Sequence, residues 1–437
     1  MVKTSVSLLR GADTIGGSCI KINHGCDSIV LDYGMPLMAS GGDALTPGLT
    51  KSPSLENGIL LDVMGNEKEH INKPLAFIIS HAHPDHYGLV DHLPIDMPIY
   101  ISDSAHSLME IGNVFYSDEM KINRLPSFII YQPGKSFEIG PFTVKAYLMD
   151  HSAFGACSIH IEVGGKTIFY TGDFRGHGRK AKVNEYVKSR VKEPDVLLME
   201  GTTLDEGHPN TFATEKAVED AFLEVMKQDS DPIFVAGSGS NIDRIVSLYN
   251  ACKRSGRILV LDLYQMYMLD TLKKHAPGLP PHADDHIRIF FPRNQIESAK
   301  KAFGNDDFFR FSKRHINIDK LNFDNTRYVF RFSNYSIKRF IEAFHEKEFK
   351  AHLIYSMWQG YMEKQSSFAE LELLTDSKWQ YIHTSGHAYL SHLKSFACEI
   401  NAKTLIPVHT LKADSFSEHF KNVVILKNGE TFGLPNK

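Results

Sequence analysis

The chain has 437 residues and a mass of 49.3 kDa, too long for one ordinary compact domain, and its 42% hydrophobic and 23% charged residues exclude a disordered or low-complexity protein. Lys and Arg number 48 against 52 Asp and Glu, a net charge of -4, so no global basic field draws the chain to nucleic acid. Five cysteines without paired spacing (Cys19, Cys26, Cys157, Cys252, Cys398) exclude a disulfide scaffold and a cysteine zinc cluster; with no leader-like start and no apolar run of about 18 residues, they point to a soluble, cytoplasmic protein.

The first half reads as strands broken by Gly, Asp and Asn. Strands are expected over residues 18–22 and 28–32, then an irregular stretch to about 72, then an apolar strand over 75–79. Further strands are expected at 142–147, 158–162 and 167–170, the last two joined by Gly164-Gly165, a hairpin signal. A buried-looking strand follows at 196–199. Beyond about 205 the texture changes: helix 214–226, strand 233–236, a Gly237-Ser238-Gly239-Ser240 turn capped by Ser240 or Asn241, helix 242–253 and strand 257–261. Strand, helix, strand in that order suggests a parallel α/β unit. A strand at 352–355 and a tail ending in a strand at 423–426 complete the pattern. The expected organisation is one αβ sandwich in two pieces, 1–205 and 356–437, around an α/β insertion at 206–355.

The chemistry concentrates in Ser80-His81-Ala82-His83-Pro84-Asp85-His86, directly after the strand at 75–79. Alternate residues of an extended loop project the same way, so His81, His83 and Asp85 converge, while Pro84 bends the chain and turns His86 to a neighbouring point. Four first-row-metal ligands within six positions suit two zinc ions a few Å apart.

This H-x-H-x-D-H run resembles the metallo-β-lactamase superfamily, and the other family motifs follow in order: Leu31-Asp32-Tyr33-Gly34, Met149-Asp150-His151-Ser152 and Thr171-Gly172-Asp173. Met199-Glu200-Gly201-Thr202, His383-Thr384-Ser385-Gly386-His387 and Pro407-Val408-His409-Thr410 resemble motifs A, B and C of the β-CASP nucleases, the group of ribonuclease J. The resemblance implies an αββα metallo-β-lactamase sandwich with an inserted α/β β-CASP cap. It implies one Zn2+ held by His81, His83 and His151 and a second held by Asp85, His86 and His409, with Asp173 bridging and Asp32 supporting the loop. Mn2+ and Fe suit the same donors. His387 would give a proton to the leaving group, oriented by Glu200, with Asp85 counted among the catalytic residues. His383, Ser385 and Gly386 would contact phosphate oxygens. The implied reaction is attack of a metal-bound hydroxide on an RNA phosphodiester, metal coordination lowering the water pKa from about 16 to near 7. RNA-directed members carry a histidine at motif C and the DNA-repair branch a valine; His409 therefore favours RNA, and single-stranded RNA is the expected partner, with a homodimer left open. Alternatives are a hydrolase of a small ester or thioester, a DNA nuclease, and a non-catalytic RNA-binding subunit.

The stretch from Lys300 to Arg339 places ten basic side chains against four acids, interleaved with aromatics such as Phe303, Phe309, Phe330 and Tyr335. It reads either as a surface for single-stranded RNA or, at 328–332, as a strand packing its aromatics in a core. Arg175, Arg179, Lys180 and Lys182 read equally as a phosphate rim or a solvated turn. Pro281-His282-Ala283-Asp284-Asp285-His286 imitates a metal motif but reads as a surface turn.

Overall fold

The computed structural model describes residues 2–39, 42, 45, 49–64, 73–204, 212–228, 231–317, 327–332, 351–360 and 379–435. The chain folds as two compact units. The first comprises Met1–Met109, Asp118–Gly207 and Gly386–Lys437; the second comprises Glu110–Ser117 and His208–Ser385.

The first unit begins with β1 (Thr4–Arg10), β2 (Cys19–His24), β3 (Asp27–Leu31), β4 (Ala76–Ile78), α1 (Pro84–Tyr87), β5 (Ile99–Ser102), α2 (Asp103–Phe115) and β6 (Ile129–Tyr131). It continues with β7 (Ser136–Ile139), β8 (Phe142–Leu148), β9 (Cys157–Val163), β10 (Lys166–Tyr170), α3 (Ala181–Arg190) and β11 (Val196–Glu200). The expected hairpin at Gly164-Gly165 joins β9 to β10 with φ of 54° and 70°, the left-handed region that glycine enters without cost. A Cβ on Gly164 would also fall on the His24 ring.

The second unit is built from α4 (Glu215–Gln228), β12 (Ile233–Ala236), α5 (Ile242–Ser255), β13 (Ile258–Asp262), α6 (Leu263–Leu272), β14 (Ile287–Phe290), α7 (Arg293–Phe303), β15 (Tyr328–Phe332), β16 (His352–Tyr355) and β17 (Trp379–Tyr381). Its sheet runs β14-β13-β15-β12-β16-β17 and every pairing in it is parallel. Helices on such a sheet bury both faces, which is why β12 (Ile233–Ala236) is an uninterrupted apolar run and β13 is apolar up to its last residue, Asp262. The expected boundary at 355 falls inside this sheet, because β17 pairs with β16 from Leu353↔Trp379 to Tyr355↔Tyr381. Three residues with partial burial carry no strand signal of their own.

The chain then returns to the first unit with α8 (Leu390–Ile400), β18 (Leu405–Val408), α9 (Phe416–His419) and β19 (Glu430–Gly433). These strands complete both sheets of that unit: β19-β1-β2-β3-β4-β5-β6 and β18-β11-β10-β9-β8-β7. The strand expected at 423–426 is reduced to one bridge between Leu405 and Val423.

Strand alternation explains how the first unit is layered. Ile78, Ile168, Tyr170, Val196, Leu198, Ile406 and Val408 enter one core shared by the two sheets. Phe169, Leu197, Met199 and Leu405, one residue out of phase, pack instead with Val187 of α3 and Leu393 and Phe396 of α8. The result is an αββα sandwich.

Part of the basic, aromatic stretch from Lys300 to Arg339 is interior. Phe308, Phe311, Phe330, Arg331 and Phe332 are buried, whereas Phe303 and Phe309 are exposed. Its residues Asp319, Lys320, Phe323, Asp324, Tyr335, Lys338 and Arg339 lie outside the described residues. Residues 281–286 form a turn in which Asp284 accepts from the Tyr249 hydroxyl at 2.7 Å and from its own neighbour, His286 N, at 2.9 Å.

Candidate metal centre

Nine candidate residues of the first unit stand at or just beyond the carboxyl ends of its central strands. Asp32 follows β3, His81 to His86 follow β4, His151 follows β8, Asp173 follows β10, Glu200 ends β11 and His409 follows β18. The parallel pairs β3–β4, β10–β11 and β11–β18 bring these ends together. Gly34 lets the histidine-rich loop dock: Tyr33 N donates to His86 O and Met35 N to Pro84 O, both at 2.9 Å. A Cβ on Gly34 would fall on the carbonyl of Asp85.

Two groups of donor atoms result, each within 4.8 Å of one another: His81, His83, His151 and Asp173, and Asp85, His86, Asp173 and His409. In the first, His83 Nδ1 lies 3.2 Å from both His81 Nε2 and His151 Nε2, and His81 Nε2 lies 3.6 Å from Asp173 Oδ2. In the second, Asp173 Oδ2 is 3.2 Å from His86 Nε2, and Asp85 Oδ2 is 3.3 Å from His409 Nε2. Asp173 belongs to both.

Neighbouring groups fix which nitrogen faces the centre. The His151 Nδ1–H donates to the Gly386 carbonyl at 2.7 Å and the His86 Nδ1–H to Asp32 Oδ2 at 2.7 Å, so each ring turns its Nε2 inward. Asp32 also accepts from Ser80 N (2.7 Å), Ser80 Oγ (2.8 Å) and the Tyr170 hydroxyl (2.7 Å). His409 is the exception. Its Nε2 accepts from Gly16 N at 2.9 Å, and its Nδ1 lies 2.8 Å from Thr202 Oγ1. Asp32 (φ 58°) and His409 (φ 52°) both occupy the left-handed region, where a non-glycine residue stores strain.

The donor set fits divalent cations on an independent ground. Both carboxylate oxygens of Asp173 and Nε2 of His86 are buried without a hydrogen bond of good geometry, an arrangement that is costly unless a cation satisfies it. Burial holds His81, His83 and His151 below the ordinary histidine range, and hence neutral. Burial works against the charged forms of His86 and Asp85 too. There it is outweighed, with Asp173, Asp32 and Asp85 raising His86 well above its usual range and His86 and His409 drawing Asp85 down to about 2.

Beside these groups, His387 Nδ1 lies 3.0 Å from Glu200 Oε2 and 3.8 Å from Asp173 Oδ2. Glu200 is buried and its other oxygen accepts from Phe174 N at 2.7 Å. Burial lowers the His387 pKa, but Glu200 and then Asp173 overcome it and hold the ring at about 9. Glu200, Asp173, His387 and His409 themselves form a third convergent group.

Gly386 lies in the first unit. His383 and Ser385 belong to the second, where His383 Nδ1 is 3.3 Å from Arg244 Nη1. Arg175 is fully buried beside Asp150, with Nε 3.5 Å from Oδ1, so it forms no part of a surface rim. Ser80, Tyr170 and Thr202 support the centre without having stood out in the sequence. The alternation of β10, which turns Tyr170 into the core between the sheets, was the available signal.

A β-lactamase superfamily domain matches residues 60–228. Over 378 residues the chain is 22% identical to ribonuclease J of Sinorhizobium meliloti, covering 82% of this chain and 63% of that protein. Over 340 residues it is 24% identical to ribonuclease J of Helicobacter pylori, covering 72% and 46%. Residues 60–228 thus match the β-lactamase superfamily, and over most of its length the chain is similar to ribonuclease J. It spans less than two thirds of the length of these relatives. The fold also matches a crystal structure of a protein of unknown function from Enterococcus faecalis, with a TM-score of 0.76 at 20% identity, over 99% of this chain and 100% of that one.

Proposed function

We propose that the chain is a dinuclear, divalent-metal-dependent phosphodiesterase that hydrolyses single-stranded RNA, with zinc as the metal. The observation that carries this reading is the convergence of His81, His83, His151, Asp85, His86, His409 and Asp173 into two donor groups sharing one carboxylate. Ribonuclease J relatives and the histidine at position 409 favour RNA over DNA.

A pair of divalent cations, when bound, would supply charge relief to the non-bridging phosphate oxygens and lower the pKa of a coordinated water. The protein's own groups do the remainder. Asp173 offers an oxygen to each donor group. Asp32 locks the tautomer of His86, and the Gly386 carbonyl locks that of His151. Glu200 anchors Nδ1 of His387, leaving Nε2 of a partly exposed ring to hold the proton that the departing alkoxide takes. His383, Ser385 and Gly386 would contact phosphate.

The test is digestion of RNA labelled at either end, with DNA of the same sequence, bis-p-nitrophenyl phosphate and a thioester panel alongside. RNA cleavage that a chelator abolishes and zinc restores supports the reading. Turnover of thioesters alone would replace it.

A further inference from the structure

Gly201 to Leu204 follow β11 as a turn, with Leu204 N donating to the Gly201 carbonyl at 3.3 Å. The turn is seated firmly. The Gly201 carbonyl also accepts from Thr410 Oγ1 at 2.8 Å, and a Cβ on Gly201 would fall on the Phe416 ring. Leu204 is buried in the cluster that holds Met199 and Phe416. The two threonines of the turn reach different parts of the centre. Thr202 Oγ1 lies 2.8 Å from His409 Nδ1, whereas Thr203, 3% exposed, donates from Oγ1 to the Ala388 carbonyl at 2.6 Å.

The Ala388 bond bears directly on His387. The carbonyls on either side of that residue are both held: Gly386 O accepts from His151 Nδ1–H at 2.7 Å, and Ala388 O accepts from Thr203. One residue further on, Tyr389 is the N-cap of α8, and its ring stacks on that of the buried His177 at 4.3 Å and 10°. The His387 ring is held separately, with Nδ1 3.0 Å from Glu200 Oε2. Glu200 and Thr203 stand three residues apart at the end of one strand. Between them they hold His387 twice, by its ring and by the backbone beside it. A ring contact alone leaves the backbone free to carry the imidazole with it; the second contact removes that freedom. Proton transfer needs such control, because a misplacement of about 1 Å can cost on the order of 100-fold in rate.

We propose that Thr203 is a positioning residue for proton transfer from His387. Its hydroxyl fixes the backbone at Ala388, so that the ring anchored by Glu200 keeps Nε2 at one point beside the donor groups. Thr203 acts through His387 and not on the substrate. The proposal rests on the phosphodiesterase reading above, in which His387 protonates the departing alkoxide.

Steady-state kinetics on the full chain test it, with a 5′-phosphorylated uridine hexanucleotide and bis-p-nitrophenyl phosphate as substrates. Cleavage of the first releases an alkoxide that needs a proton; the p-nitrophenolate of the second departs without one. Thr203→Val keeps the volume and removes the hydroxyl, and Thr203→Ser keeps the hydroxyl. Thr203→Val should lower kcat on the hexanucleotide about 10-fold, the scale of one net hydrogen bond, with KM and metal content unchanged. Its loss on bis-p-nitrophenyl phosphate should be several times smaller. Thr203→Ser should restore the hexanucleotide rate, and His387→Ala should show the same discrimination between substrates more strongly. Equal losses on the two substrates, loss of metal, or no loss in Thr203→Val would overturn the proposal. Wild type that turns over neither substrate would remove the phosphodiesterase reading itself, and the proposal with it.

Discussion

The Tyr170 hydroxyl donates to Asp32 Oδ2 at 2.7 Å, joining the end of β10 in one sheet to the residue after β3 in the other. Through Asp32, which also receives His86 Nδ1–H, this bond reaches the second donor group. Tyr170→Phe removes only the hydroxyl. The expected outcome is a fold of unchanged secondary structure with divalent-metal affinity about 10-fold weaker, the scale typical of partners behind metal ligands. Chelator-competition titration measures it.

His387→Ala should leave metal content intact and lower turnover roughly 100-fold or more, since a positioned acid contributes on that order. Glu200→Gln should act in the same direction, because it removes the charge facing Nδ1 at 3.0 Å. Metal analysis beside initial rates separates this role from ligation: loss of metal in His387→Ala would contradict it.

The donor groups differ in one respect. Nε2 of His409 already receives the Gly16 N–H, whereas His83 Nδ1 and His151 Nε2 face only other donors of their group. Metal should therefore leave the His409 group first during dialysis. His409→Ala should retain about one ion per chain by elemental analysis, and His83→Ala should lose the ion that wild type keeps longest.

Cysteine chemistry tests the core. Cys26 and Cys398 are exposed, while Cys19, Cys157 and Cys252 are buried. Burial pushes Cys19 and Cys157 up to about 12 and raises Cys252 as well. A thiol-specific reagent at neutral pH should modify two thiols in native protein and five after denaturation.

How far the sequence foretold the structure depends on how local each signal was. His81, His83, Asp85 and His86 were legible because four ligands fall within six positions; the extended loop expected there gives way to α1 at Pro84, so Asp85 joins His86 and His409 and not His81 and His83. His151, Asp173, Glu200, His387 and His409 were legible only through the order of their motifs, since each alone resembles an ordinary turn residue. Parallel pairing of β10, β11 and β18 is what brings Asp173, Glu200 and His409 together, and pairing leaves no local mark. Charge was the least reliable guide. Arg175 and Arg331 add to a basic count, yet strand direction and the Asp150 contact place both in the interior. The limit of the second unit was missed for a related reason, because β17 gains its identity only from pairing with β16.

The most direct test is an anomalous difference map recorded at the zinc edge from crystals of the purified chain. Two peaks are predicted, one enclosed by His81, His83 and His151, the other by Asp85, His86 and His409, with Asp173 beside both. Well-ordered crystals of zinc-supplemented protein that show no peak, or peaks only elsewhere, would contradict the account.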